Sequence, residues 1–477
     1  MHAIKIQKKI SANPERVILQ FFNPGSEARI NNVIDRVLNL TENETVTLLE
    51  KIMVEFSARH SSFKHKLLEN YNNINRYIVR PETLTQERKY LLGAYFSKEY
   101  SIEAAALFNP SIVPHPDQQY LKPGMLRFIL SLRATGEGHI SSIEFRTGIV
   151  DENNEIYFDT TSRYSELPVR DEQKLYSKEF LSERITIENT GQKKLIDSLP
   201  DQFTLSEIKN ILEKTSIEDD NSVNKNFANS ILSVIDSNYN INFHENTSIA
   251  ERIIFPHSVN ESVGMEDARF VKFSEDDCSS TYYATYTAYN GRTFGTQLIE
   301  TKDFLNFNVR TLHGPGVQDK GMALFPRKIN GKYVITSRQG GENMYIMFSD
   351  NLYFWDEFKL LKIPKEPWEY IQLGNCGSPV ETEKGWLLVT HAVGPFRKYS
   401  ISACLLDLND PSEVIGTLKA PLIEPDENER EGYVPNVVYS CGSLVHNGEL
   451  IIPYAMSDSC SGFAKISMNE LMAKIIS

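Results

Sequence analysis

The sequence predicts a mainly β protein, a five-bladed β-propeller with a helical N-terminal module and a helical insertion. Three observations lead to it. An apolar or aromatic segment ending in a polar group recurs at Phe128–Arg133 (FILSLR), Tyr282–Thr287 (YYATYT), Tyr333–Arg338 (YVITSR), Trp386–His391 (WLLVTH) and Glu449–Tyr454 (ELIIPY). The last four begin about 50–60 residues apart, the span of one four-stranded blade. From about residue 109 the chain consists of short β-patterned runs between Gly, Asn, Asp and Pro turns.

The helical parts follow from spacing. Ile30, Val33, Ile34, Val37 and Leu38 form an apolar stripe at i, i+3 and i+4. Thr41 and Glu44 match a capping box, behind which Val46, Leu48, Leu49, Ile52, Met53 and Phe56 keep helical spacing. A third helical pattern runs from Thr85 to about Phe108, through Tyr90, Leu91, Leu92, Tyr95 and Phe96. Residues 1–108 are therefore assigned to the helical module and 109–477 to the propeller. Residues 170–243 interrupt the β texture with polar, helix-patterned sequence at Leu205–Leu212 and Phe227–Val234, and read as an insertion. The module is assigned either to homo-oligomer formation or to covering one rim of a pocket, and the sequence leaves both open.

Composition narrows the function classes. The 477 residues carry 50 Lys and Arg against 63 Asp and Glu, a net charge of −13, which is not the basic surface that nucleic acid requires. No apolar run approaches the roughly 18 residues of a membrane span. The start, MHAIKIQKKI, is basic and lacks the apolar stretch of a signal peptide. Five cysteines with no CxxC pair argue against a zinc site or a disulfide framework. The expectation is a reduced, cytoplasmic protein without a metal ion.

The repeated segments bring Arg133, Thr287, Arg338, His391 and Tyr454 to matching positions. As inner strands of blades they would line a polar axial pocket; as ordinary strand ends they would only be solvated. The densest stretch is Gly264–Val271 (GMEDARFV). Period-2 alternation sends Glu266 and Ala268 to one side and Asp267 and Arg269 to the other, setting one acid beside a guanidinium. The bland alternative is a solvated Asp–Arg pair. Polar loops at Asp319–Arg327, Asn375–Pro379, Gly394–Tyr399 and Arg430–Asn436 flank the other repeats. Alternation also allows one of Tyr286 and Tyr289 to face the pocket, and Arg269 and Tyr289 enter the substrate-binding set. Trp355, Trp368 and Trp386 fit core packing better than sugar stacking.

Together FNPSIVPHPDQ, LSLRATGEG, ISSIEFR, GMEDARFV, YYATYTAYNGR, KGMALFPRKINGKY, GNCGSPVETEKGWLLVTHAVG, YSISACLLDLNDP and EGYVPNVVYSCG resemble glycoside hydrolase family 130 over about residues 105–470. That family contains β-mannoside phosphorylases and β-mannosidases on a five-bladed propeller. The resemblance implies that Asp267 is the general acid and that Asn109 and Arg133, with Ser111 nearby, hold the nonreducing mannosyl unit. It implies a phosphate-binding group of Lys320, Arg338, His391 and Tyr399. Arg292 is added to that group, although the family's arginine often falls where this chain has Gly295. A phosphorylase needs donors for an anionic nucleophile, whereas an inverting hydrolase needs a second carboxylate to activate water. The expected reaction is inverting phosphorolysis of a β-mannoside to α-mannose 1-phosphate, with inorganic phosphate as cosubstrate and no other cofactor. The alternatives are an inverting β-mannosidase, with Glu424, Glu427, Glu429 or Glu431 as candidate bases, and a noncatalytic carbohydrate-binding propeller.

Overall fold

The computed structural model describes residues 2–218 and 222–476. Its β part is a series of antiparallel meanders, each about four strands deep. The largest sheet contains two of them: Ala106–Pro114, Leu126–Thr135, Ser141–Val150 and Ile156–Phe158, then Gly264–Ser274, Ser280–Tyr289, Phe294–Thr301 and Asn306–Thr311. A single parallel pair, Gly264 with Ser141, joins them. A Cβ on Gly264 would lie 2.7 Å from the Ser141 backbone nitrogen, so only glycine permits that junction. A third meander is Ala323–Leu324, Tyr333–Ser337, Met344–Ser349 and Lys359–Lys362. The fourth is Gln372–Asn375 with Val380–Thr382, then Gly385–Val393, Tyr399–Leu406 and Val414–Thr417. All nine residues of Gly385–Val393 are buried, because both faces of the strand are covered. The last meander is Val438–Tyr439 with Leu444–His446, then Glu449–Met456 and Cys460–Ser467.

The five recurring segments all form strands, each second in its meander. The strand before it is the first of its meander, and in the first two meanders that strand carries irregular backbone. Ladder register breaks between Phe108 and Ser111 and between Glu266 and Arg269. Their matching polar ends do not all share one environment. Thr287 is buried opposite Glu266, and the Tyr454 hydroxyl donates to Glu429 at 2.6 Å.

The first hundred residues are less uniformly helical than their spacing implies. Helices Glu27–Leu38, Glu42–Phe56, Phe63–Asn72 and Gln86–Tyr95 pack around Ile30, Ile34, Val37, Tyr71, Leu91, Leu92 and Phe96. The Thr41–Glu44 capping box is formed. Arg88 closes the end of the first helix, donating to the Val37 and Leu40 carbonyls at 2.6 and 2.8 Å. The third helical pattern stops at Tyr95: Ser97–Ser101 pairs with Val17–Phe21, and Ala106–Pro114 opens the first meander. The start of the chain is also a strand. Ile4–Ile10 pairs with Cys460–Ser467, its Ile6 and Ile10 packed on the cluster around Phe463. Within 170–243, helices Lys178–Ser182, Thr190–Ser198, Leu205–Glu218 and Ser222–Asp236 lie between Val169–Arg170 and Asn240–Asn242, which pair with each other. Among the described residues, no helix is long and apolar enough to cross a membrane.

A buried ionic cluster fastens the N-terminal segment to the first meander. Arg16 reaches Glu103 at 2.8 Å and Glu144 at 3.0 Å, and Arg146 reaches the same two carboxylates at 2.6 and 3.2 Å. Removing one cation leaves buried carboxylates short of partners, so Arg16→Met should cost about 3–5 kcal/mol of stability in urea unfolding. A loss below about 1 kcal/mol would show that the cluster does not tie the two parts together.

Candidate active site

The site begins at the two register breaks. Each lets one residue enter the left-handed backbone region, Asn109 at φ +49° and Asp267 at φ +56°. The Asn109 amide then donates to Asp267 Oδ1 at 2.6 Å. Side-chain alternation fails at this break: Arg133 donates to Glu266 Oε1 at 2.9 Å and to Asp267 Oδ1 at 3.4 Å, so both acids stand on one guanidinium. Arg269 reaches the Asp267 backbone carbonyl at 2.8 Å rather than its carboxylate. Asp267 remains 16% exposed, leaving part of its carboxylate open, and Asn109 Oδ1 is buried without a hydrogen-bond partner among the described residues.

A second group adjoins it. Arg269 Nε donates to Asn375 Oδ1 at 3.1 Å and its Nη2 to the Tyr439 hydroxyl at 2.6 Å. The Tyr439 ring lies 4.7 Å from His391, Tyr399 stacks on His391 at 5.9 Å, and the two tyrosine rings meet edge-on at 6.3 Å. His391 Nδ1 lies 3.0 Å from the Asn375 carbonyl, so that nitrogen carries the proton. Its Nε2 is then an acceptor, 3.4 Å from both Arg338 Nη1 and the Gln372 amide. Lys320 stands 3.7 Å from Glu266 and 5.0 Å from the centre of the Phe294 ring, which stacks on Tyr289 at 4.8 Å.

Charge sets the protonation states. Burial would raise the Asp267 carboxyl, but Arg133, Arg269, Asn109 and Lys320 together hold it below its usual range. Burial, followed by the charges of Arg338 and Arg269, pushes the His391 imidazole well below its ordinary value. Asp458 has the opposite fate: burial and the neighbouring Asp267 push it up to about 6.

Of the residues singled out in the sequence, the structure brings Asp267, Asn109, Arg133, Arg269, Lys320, Arg338, His391 and Tyr399 into this connected array, with Tyr289 at its edge. Ser111 is turned away: it is fully buried and accepts from the Phe270 N–H at 3.1 Å. Arg292 lies on the exposed turn after Tyr289, where its N–H bonds Asn290. Among the described residues, no ion pair or ring contact ties it to the array. A Cβ on Gly295 would meet nothing within 4 Å. Glu424 pairs with Lys398, and Glu429 is held by Lys5 and Tyr454. Sequence reasoning missed Asp458, Asn375 and Tyr439 as members. Asn375 sat in a motif already marked as a polar loop and Tyr439 in EGYVPNVVYSCG, whereas Asp458 follows an unremarkable strand end.

Comparison with known proteins decides the family. The model for glycoside hydrolase family 130, described as β-1,4-mannooligosaccharide phosphorylase, matches residues 224–476, more than half of the chain. The chain belongs to glycoside hydrolase family 130. It is accordingly an enzyme, a glycoside phosphorylase or a glycoside hydrolase. A 1,2-β-oligomannan phosphorylase of Thermoanaerobacter sp. strain X514 is 37% identical over 215 residues, 44% of this chain and 70% of the relative. A β-1,2-mannobiose phosphorylase of Listeria innocua serovar 6a is 29% identical over 240 residues, 49% and 66% of the two chains. The solved structure of a Listeria innocua β-1,2-mannobiose phosphorylase with β-1,2-mannobiose aligns at TM-score 0.48 and 20% identity, covering 79% of this chain and 93% of that one. The family 130 match contains Asp267, Arg269, Lys320, Arg338, His391 and Tyr399. Asn109 and Arg133 lie before it and join this set only through the fold.

Two outcomes are expected of the array. In ¹⁵N NMR of histidine-labelled protein, His391 should stay neutral with its proton on Nδ1 through the range in which a free imidazole becomes charged. The unfolded chain takes up a second proton near pH 6.5 and the folded chain does not, so this group makes the fold less stable as pH falls below that value. An imidazolium at pH 6 would contradict the arrangement. Asn375 bonds Arg269 and the Gly321 carbonyl, the latter at 2.6 Å. Asn375→Ala should therefore lower kcat by about 10²-fold through misplacement of Arg269, and an unchanged kcat would remove Asn375 as a positioning residue.

Proposed function

We propose that this family 130 enzyme is an inverting β-mannoside phosphorylase, releasing α-mannose 1-phosphate with inorganic phosphate as cosubstrate and no other cofactor. The observation that carries the reading is the group of Arg269, Arg338, His391, Tyr399 and Lys320 next to Asp267, with Arg338 Nε buried and without a partner among the described residues. Such a donor-rich group suits an oxyanion. Relatives named as mannoside phosphorylases supply the substrate class.

In the proposed reaction Asp267 gives its proton to the glycosidic oxygen as the C1–O bond breaks and a phosphate oxygen bonds C1 from the opposite face. The sugar phosphate then sheds the proton that phosphate brought, and the carboxylate regains one. Asn109 and Arg133 hold the mannosyl unit. The ionised state of Asp267 fits this order: phosphate arriving among the same cations offsets the charge that holds the carboxyl down, so ligand binding loads the acid.

The scaffold is proposed to be a five-bladed propeller, one meander per blade. Contacts at the first strands of successive meanders support this. Phe270 N–H donates to Ser111, Ser274 N–H to Pro326, Asn375 to Gly321 and Cys441 N–H to Pro110, and Gly377 abuts Cys441. Taken in order, these contacts run from each meander to the next and back to the first.

Hydrolysis is the second reading, favoured by Asp458. A carboxyl at about 6 near Arg133 and Asp267 has the character of a base for water. Incubation with β-1,2- and β-1,4-mannobiose, with and without phosphate, separates the two. Phosphate-dependent mannose 1-phosphate is expected; cleavage indifferent to phosphate would replace phosphorolysis with hydrolysis. Asp267→Asn should lower kcat by about 10³-fold or more while leaving the thermal melt in place. Near-normal turnover would remove Asp267 as the acid.

A further inference from the structure

We propose that two loops beside the acid form an aromatic rim that holds mannosyl units beyond the pair at the scissile bond, so that the enzyme acts on oligosaccharides in preference to disaccharides. The inference rests on the mannoside reading above. Phe396 is 97% exposed at the tip of the turn between Gly385–Val393 and Tyr399–Leu406. It and Arg397 both occupy the left-handed region, at φ +58° and +55°, an arrangement that non-glycine residues adopt only where the surroundings impose it. The Arg397 guanidinium lies 5.9 Å from the Tyr399 ring, and its charge bears on Asp458. Phe396 thus adjoins a residue that contacts Tyr399 of the array.

Tyr433, 72% exposed, stands on the neighbouring loop with its ring 5.7 Å from His139, itself at φ +60°. The loop rides directly on the segment that carries Asp458. Val434 N–H donates to the Ser457 carbonyl at 3.2 Å, and a Cβ on Gly432 would fall 2.3 Å from the same oxygen. The two loops are joined where Tyr399 N–H donates to the Asn436 carbonyl at 3.0 Å.

A single exposed ring needs no explanation. Two exposed rings on hydrogen-bonded loops, one next to Arg397 and the other on the segment bonded to Ser457, with left-handed backbone at Phe396, Arg397 and His139, form a surface beside Asp458. A pyranose presents C–H groups on one face and hydroxyls at its edge. It covers an aromatic ring with the former while the latter stay in water, which fits rings at an open mouth better than in a closed pocket.

The test is kcat/KM for β-mannosides of two to five units, in the linkage the enzyme cleaves. Wild type should gain ten-fold or more from disaccharide to tetrasaccharide. In Phe396→Ala and Tyr433→Ala the ratio of tetrasaccharide to disaccharide kcat/KM should fall at least five-fold. A flat length series, or a gain retained in the double variant, would overturn the rim. So would a change in sedimentation of the variants with the length ratio intact, which would assign the rings to a contact with a second copy. Failure to cleave mannosides of any length, with or without phosphate, would instead sink the mannoside reading on which the rim rests.

Discussion

Two residues held in left-handed backbone on neighbouring strands, Asn109 and Asp267, are the constraint on which the site depends. For a residue with a Cβ that conformation costs on the order of 1–2 kcal/mol. The cost is offset by the strand ladders, which resume on both sides of each break: Ser111 onward against Ser131, and Arg269 onward against Thr285. What the break changes is direction. In a regular strand Glu266 and Asp267 would face opposite sides, and one would be lost to the pocket. With the break, both reach Arg133, the next side chain turns Arg269 toward Asn375 and Tyr439, and the acid is framed by groups from four meanders.

That framing explains how an acidic protein can present a site fit for an anion. The net charge of −13 describes the whole surface. Around Asp267 the sequence has gathered Arg133, Arg269, Lys320 and Arg338, of which Arg133 and Lys320 share the single charge of Glu266. His391 adds no charge. Pinned through Nδ1 to Asn375, it offers Nε2 to Arg338 and Gln372 and so orients cationic and amide donors rather than supplying one. A neutral histidine here is the expected result of burial and then of two nearby guanidinium groups, because a third charge in that space would be unpaired.

The fold was legible in the sequence wherever one periodicity covered a whole element. The five recurring segments are strands because each is an apolar run long enough to be sandwiched, and the Thr41–Glu44 cap is local chemistry. Ile4–Ile10 was missed because its pairing partner, Cys460–Ser467, lies at the other end of the chain and its own pattern is diluted by lysines. The helical reading of 96–108 failed for a related reason: the spacing of Tyr95, Phe96 and Tyr100 fits either period, and pairing with Val17–Phe21 decides it. In the site, motif residues were visible and connections were not. No spacing rule reveals that Glu266 and Asp267 share Arg133, since the register break that allows it has no signature in GMEDAR. Asp458 sits in a serine-rich turn that resembles many others, and only its approach to Asp267 gives it meaning.

The N-terminal segment bears on this geometry through one strand. Arg16 is bound to Glu144, which lies on Ser141–Val150. The first residue of that strand, Ser141, accepts from Arg133 Nε at 2.9 Å and pairs with Gly264, three residues before the acid. The same short stretch of backbone therefore takes up the buried ionic cluster at one point, steadies the guanidinium under both acids at another, and sets where the broken strand begins. With Ile4–Ile10 closing the last sheet, the chain uses its first hundred residues to hold both ends of the β part. The helices between those strands are thus carried on segments whose loss would disturb the acid itself, so activity in a chain trimmed at its N-terminus cannot be read as a property of the helices alone.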